Sequence, residues 1–397
     1  MKKICLTVVG LYIGLLSAFS QSADSANYKS RKLKFEEANL VSSYYRQTGN
    51  NSAVEGGVGS EKLSDIANVI DVKFTKYDKR DRKHSFIGEV GVDHYTSASS
   101  DRIDTKANSS ASSADTRIYP SLSWTMENEQ KGTTIGLHAS SSFEFDYTSI
   151  GFGASFSKKS ADKNREVSIK AQAFLDQVSL ILPIELRNGS GGRDNDDYKS
   201  ASRNSYSGSV SLSQVINERL QVAVIADIVK QDGFLALPFH RVYFNDNTVH
   251  SEILPSSRLK IPLGLRANYF FGDKVIFRSF YRYYQDDWGL TAHTIDLETS
   301  VKINPFLSVT PFYRYYNQSA VDYFAPINVH KQGDAYYTSN YDLSAFDSQF
   351  FGAGFRSAPP KGVFGMQHIG AIELRYGHYT RSTGLNSDII SLHLKFK

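Results

Sequence analysis

The residues best placed to do chemistry are charges set into alternating runs. Glu89, Asp93, Arg117, Lys170, Asp227, Lys260, Arg266, Arg278, Arg282, Asp296, Glu298, Arg314, Glu373 and Arg375 all interrupt apolar or small-residue alternation. Charges of one parity share one face of an extended strand, because successive side chains point to opposite faces. Across a water-filled space, such mixed charges would set up a transverse field that sorts solutes. In close contact they would instead neutralise one another in salt bridges and close the space. The residues alone leave both readings open. Around some of these arginines the chain interleaves aromatics, as in Arg278, Tyr281, Arg282, Tyr283 and Tyr284, and again in Phe312, Tyr313, Arg314, Tyr315 and Tyr316. Inward rings could stack a planar ligand by cation–π contact. Outward tyrosines such as Tyr281 and Tyr283 suit an interfacial girdle, the commoner use of such residues.

Other chemistry is less well supplied. His240, Arg241, Tyr243 and Tyr323 fall in two long aromatic and polar connections that could bind something or fold inward. His240, His293 and His330 stand singly, without the close spacing that builds a metal site. Serine, aspartate and histidine are plentiful, yet no motif sets a nucleophile beside a base. The only cysteine is Cys5. Beyond it there is no thiol for a disulfide, a metal site or a nucleophile. No cofactor, metal or catalytic step is expected. Charge is nearly balanced, 45 basic against 41 acidic residues, with both signs spread along the chain. A nucleic-acid binder would cluster its basic residues, so that partner is set aside.

The elements that position these residues read as strands. Lys2 and Lys3, an apolar run and small residues at Ala18 and Ser20 form an expected export signal over 1–20. A polar, basic tail over 21–34 should be flexible and periplasmic. From 35 to 397 the period is two. Leu259, Ile261, Leu263, Leu265, Ala267, Tyr269 and Phe271 share one face, while Arg258, Lys260, Gly264, Arg266 and Asn268 share the other. In a membrane barrel the first set meets lipid and the second the lumen. About sixteen such segments can be counted, with 14 and 18 the neighbouring possibilities. Expected centres are Ser42, Val72, Val90, Leu122, Leu137, Phe152, Ile169, Val210, Val224, Leu263, Phe277, Leu297, Val309, Gly352, Ile372 and Leu392.

The connections sort by parity. Those at 78–83, 127–131, 160–165, 217–218, 272–273, 304–306 and 359–363 read as short. Those at 48–63, 99–114, 183–203, 232–257 and 320–346 read as long. Outer-membrane barrels have short periplasmic turns and longer external loops, whereas a soluble sandwich has no reason to sort loops this way.

Several longer strings carry a family resemblance: Val92-Asp93-His94-Tyr95-Thr96, Pro238-Phe239-His240-Arg241-Val242-Tyr243-Phe244, Pro311-Phe312-Tyr313-Arg314-Tyr315-Tyr316 and Tyr341-Asp342-Leu343-Ser344-Ala345-Phe346-Asp347-Ser348. Together they resemble the DUF3570 family of exported bacterial proteins. The resemblance implies an outer-membrane β-barrel without a known reaction, and a place near an extracytoplasmic redox system. The ending departs from the usual barrel terminus, because Lys397 follows Phe396.

The expectation is therefore an all-β, antiparallel, up-and-down barrel in the outer membrane, not an enzyme. Its lumen would pass small solutes or ions and its wall would contact lipid. The alternative is a non-conducting scaffold that holds periplasmic or surface proteins, and a barrel enzyme of the lipase or protease kind is the third reading. Solute and oligomeric state are not written in the sequence.

Overall fold

The computed structural model describes residues 31–96, 114–187 and 199–397. The expected signal and most of the expected tail lie outside the described residues, as do 97–113 and 188–198 within two of the long connections. The first strand begins one residue earlier than expected. The strands are β1 (Lys34–Thr48), β2 (Leu63–Tyr77), β3 (Lys83–Thr96), β4 (Ala114–Asn128), β5 (Thr133–Phe143), β6 (Tyr147–Lys159), β7 (Arg165–Ser179), β8 (Ser200–Asn217) and β9 (Leu220–Gly233). After them come β10 (Arg241–Tyr243), β11 (Val249–Ser251), β12 (Ser257–Phe271), β13 (Val275–Asp286), β14 (Thr291–Asn304), β15 (Leu307–Gln318), β16 (Phe346–Ser357), β17 (Ile369–Arg381) and β18 (Asn386–Phe396).

Sixteen of these strands close into one antiparallel barrel, in which β9 pairs directly with β12 and β1 pairs with β18. Each expected strand centre falls inside an observed strand. Closure removes the sheet edges, so every strand finds a hydrogen-bonding neighbour on both sides without help from water. Alternation then sorts the faces. Leu122, Leu137, Phe152, Ile169, Val224, Leu263, Leu265, Leu374 and Ile390 are exposed on one face. That face is the outer one, as a contact across the wall shows. The Arg375 Nη2 donates to Glu298 Oε2 at 2.8 Å, although β15 and β16 separate their strands. Three strand spacings are about 14 Å, so only side chains converging on the concave side can meet. Among the described residues no helix is long and apolar enough to cross a membrane. The apolar belt belongs to the strands.

The buried apolar packing of the described residues gathers at the two ends of the barrel rather than along the middle of its wall. The largest fully buried side chains, among the described residues, are Val242, Thr338, Pro238 and Ser339, all in the long connections. One cluster joins Val242, Phe244 and Tyr337. A second gathers Trp288, Leu290, Ala292 and Val321 at the same end. A third, of Ala38, Val363, Ile369 and Phe396, sits at the opposite end.

Two features depart from the expected layout. The connection 234–256 contains the β10–β11 hairpin, paired from Arg241↔Ser251 to Tyr243↔Val249. Three-residue strands are too short for alternation to reveal. The turn expected at 359–363 instead runs over 358–368 before β17 begins. Its Val363, the last residue of the expected turn, is buried, because the chain folds back over the barrel there before the strand begins.

Candidate functional site

Register carries all the charged positions singled out above onto the concave face. In an antiparallel pair, directly opposite residues share a side. Asn268 faces Arg278, which faces Glu298, and Asp296 faces Arg314. Asp93 faces Arg117, Lys170 faces Ser209, and Ser209 faces Asp227. The same ladders carry Glu89, Lys260, Arg266, Arg282, Glu373 and Arg375 to this side.

Six of these residues meet in one cavity of about 420 Å³: Arg266, Arg278, Asp296, Glu298, Arg314 and Arg375, with Phe280, Phe312 and Phe350 among its walls. Their geometry is a chain of ion pairs. Glu298 accepts from Arg278 Nη1 and from Arg375 Nη2, both at 2.8 Å. Arg314 Nε donates to Asp296 Oδ1 at 2.5 Å. Two guanidiniums also lie over rings, Arg375 at 4.3 Å from the Phe312 centroid and Arg266 at 5.6 Å from that of Phe280. Four cations thus face the two carboxylates of the cavity lining, with Glu373 a third beside Arg375. Asp93 and Arg117 form a separate pair at 2.5 Å on the opposite side of the wall, where the Tyr119 hydroxyl also donates to Asp93. Glu373 adjoins the cavity through an ion pair with Arg375 Nη1 at 3.9 Å, while Glu89, Lys170, Asp227, Lys260 and Arg282 line the concave face outside it.

A second cavity of about 410 Å³ shares Arg314 and Phe350 with the first. It is lined by Tyr45, Gln47, Glu61, Asp342, Tyr379 and Arg381, at the long-loop end of the wall. Arg381 Nη1 donates to Asp342 Oδ1 at 2.8 Å. Arg381 shares the parity of Arg375, so alternation could have found it.

Above this cavity the long connections interlock into a cap. Arg241 donates to Glu185 through Nε at 2.5 Å and to the Val54 carbonyl through Nη1 at 2.8 Å. It thereby joins three connections. That ion pair holds the Glu185 carboxyl below its ordinary value. Asn328 N donates to Tyr243 O, and Asn245 N to His330 O. Gly57 sits at φ 84, where a Cβ would lie 2.7 Å from Ser339 O. Only glycine allows this approach. Tyr323 packs edge-on against Trp288 and Tyr336.

The hub of the cap is Glu252, which sequence reading missed. Its carboxylate accepts from Leu237 N at 2.8 Å and from Thr338 Oγ1 at 2.5 Å. The first bond stays within 234–256 and the second crosses to 319–345. Burial pushes this carboxyl up to about 7. His240 is buried too, with Nδ1 unpartnered, and burial pushes the imidazole down to about 3. No local spacing marks Glu252, because its partner is 86 positions away. Asp115, Glu144 and Asp146 bring carboxylate oxygens within 4.8 Å of one another at the same end. This is an acidic group without a second feature that points to an ion.

A closed sixteen-stranded barrel with an apolar outer belt and a charged concave face is an outer-membrane β-barrel. The chain belongs to the DUF3570 family, described as proteins of unknown function, whose profile matches residues 92–382. No curated protein matches it. Solved structures similar to it include a mutant of the ferric enterobactin receptor PfeA from Pseudomonas aeruginosa, 9% identical, over 87% of this chain and 53% of that one, TM-score 0.44. OpdQ from Pseudomonas aeruginosa is 9% identical over 92% of this chain and 98% of its own, TM-score 0.44. A BenF-like porin from Pseudomonas fluorescens Pf-5 is 8% identical over 93% and 100%, TM-score 0.43. The chain spans about half the length of the PfeA receptor it matches.

Proposed function

We propose that this protein is a capped channel that passes small charged solutes or ions across the outer membrane after export by its N-terminal signal. One observation carries the reading. The two cavities share Arg314 and Phe350, and together run along the concave face from Asn268 to Asp342 beneath the cap. Barrels of 16–18 strands are too wide for their own side chains to fill, so such a route is the expected use of the interior. Arg266, Arg278, Arg314 and Arg375 against Asp296, Glu298 and the adjoining Glu373 leave a positive excess that would favour anions and retard cations. Asp93 and Arg117 on the far wall would complete a transverse field. The cap would gate entry, with His240, Arg241, Tyr243 and Tyr323 acting as parts of its frame. The reading assigns no catalytic step, cofactor or metal.

A second reading is favoured by the cap itself. Its buried core and cross-loop bonds suit a permanently closed scaffold whose outer surface or turn side holds protein partners. Conductance of the refolded barrel in a planar bilayer separates the two. Stable openings that scale with salt are expected. A folded, heat-modifiable barrel that never conducts would overturn the channel reading and leave the scaffold.

A further inference from the structure

The connection 358–368 does more than reverse the chain. Val363 N donates to Ile369 O at 2.9 Å, Met366 N donates to Val363 O at 3.0 Å, and Val363 bridges Met366. The segment is thereby folded into a compact knuckle. Val363 is buried against Ala38, Ile369 and Phe396, with Leu40, Val72 and Leu394 packed around them. Register fixes which side of the wall this is. Asn39, Asp71 and Lys395 lie on the concave side, so Ala38, Leu40, Val72, Leu394 and Phe396 point outward. The knuckle therefore lies against the outside of the barrel, over the seam where β1 meets β18.

Its tip faces away from the protein. Phe364 is 85% exposed, more than any other large apolar side chain described, and Met366 is 45% exposed. Phe364 also holds φ 54, a conformation uncommon for a bulky residue. Gly362 and Gly365, at φ 82 and 78, flank it, and a Cβ on Gly362 would lie 1.9 Å from Met366 O. The backbone is thus shaped to present Phe364 outward rather than to tuck it in. Lys361 and Lys397 are exposed at the same end. The outward apolar surface under the knuckle continues through Ile372, Leu374 and Leu392 into the lipid-facing belt. An apolar tip with cationic neighbours at the edge of that belt has the make-up of an interfacial anchor.

We propose that 358–368 is a lipid anchor, inserting Phe364 and Met366 among the acyl chains of the inner-leaflet phospholipids while Lys361 and Lys397 stay at the phosphate level. It would fasten the seam side of the barrel to the membrane, independently of whether the lumen conducts.

The scarcity of cysteine makes the test direct. In a Cys5→Ser background, Phe364→Cys is spin-labelled and the barrel placed in vesicles of phosphatidylethanolamine and phosphatidylglycerol. Collision rates with oxygen and with a water-soluble nickel chelate are compared. Asp81→Cys, in the neighbouring turn 78–82, gives the aqueous reference. The label at 364 is expected to favour oxygen over nickel several-fold more than the label at 81. Met366→Cys, which leaves Phe364 in place, should behave like 364. Equal ratios at 364, 366 and 81 would place the knuckle in water and overturn the proposal. Protection from both reagents would mean that protein covers the tip, and would overturn it equally.

Discussion

At the scale of single residues, Glu298 is the most consequential member of the concave face. It is the carboxylate that accepts from two guanidiniums, those of Arg278 and Arg375. Glu298→Gln removes its charge and leaves both arginines with weaker partners. Partly exposed pairs are individually worth up to about 1 kcal/mol, so folding should survive. The reversal potential in a salt gradient should shift toward anions. Arg266→Ala should move it toward cations, because Arg266 adds positive charge and lies over the Phe280 ring. Two variants shifting the potential in the same direction would show that these charges do not face the conducting path. Parity made Arg266 and Glu298 readable in the sequence. It could not show that Glu298 serves two strands, because that depends on the curvature of the wall.

Among the elements, the cap is where local patterning ran out. The strands were legible because each repeats its alternation over a dozen or so residues. The β10–β11 hairpin, the buried Glu252 and the docking of Gly57 on Ser339 are set by partners far along the chain. Their effects can still be tested. Gly57→Val should loosen the cap by about 1–3 kcal/mol, through unfavourable φ and the clash with Ser339 O. Faster limited proteolysis within 49–62, with the strands intact, would register it. The cap should also respond to pH. Glu252 ionises near about 7 when folded, against the ordinary value of 4.5 when the loop is released. The folded cap therefore binds the extra proton between these values, and cap stability falls as pH rises through that window. Complete ionisation costs about 3 kcal/mol by this linkage. His240 acts oppositely, since its folded value of about 3 lies below the ordinary 6.5, and stability falls as pH drops between them. Glu252→Gln should remove the first dependence and keep the second. Urea unfolding followed by Trp288 fluorescence in a Trp124→Phe background measures both, and identical pH curves for the two proteins would refute the assignment.

For the whole molecule, the two faces of the wall obey different solvents. Leu263 points outward in the middle of β12, so Leu263→Arg should cost about 2–4 kcal/mol or block assembly. Normal folding yield in lipid would contradict the facing. Strand number and face were legible, because lipid on one side of the wall and a charged interior on the other impose a strict alternation. The knuckle at 358–368 was not, since the burial of Val363 depends on Ala38 and Phe396, which lie far along the chain. Asn51 Nδ2 donates to the carbonyl of Thr383 at 2.6 Å, across 332 positions of chain. Residues 51 and 383 come together only after the earliest and latest strands have met. The loop crown is consequently a record of whether the cylinder beneath it was ever sealed.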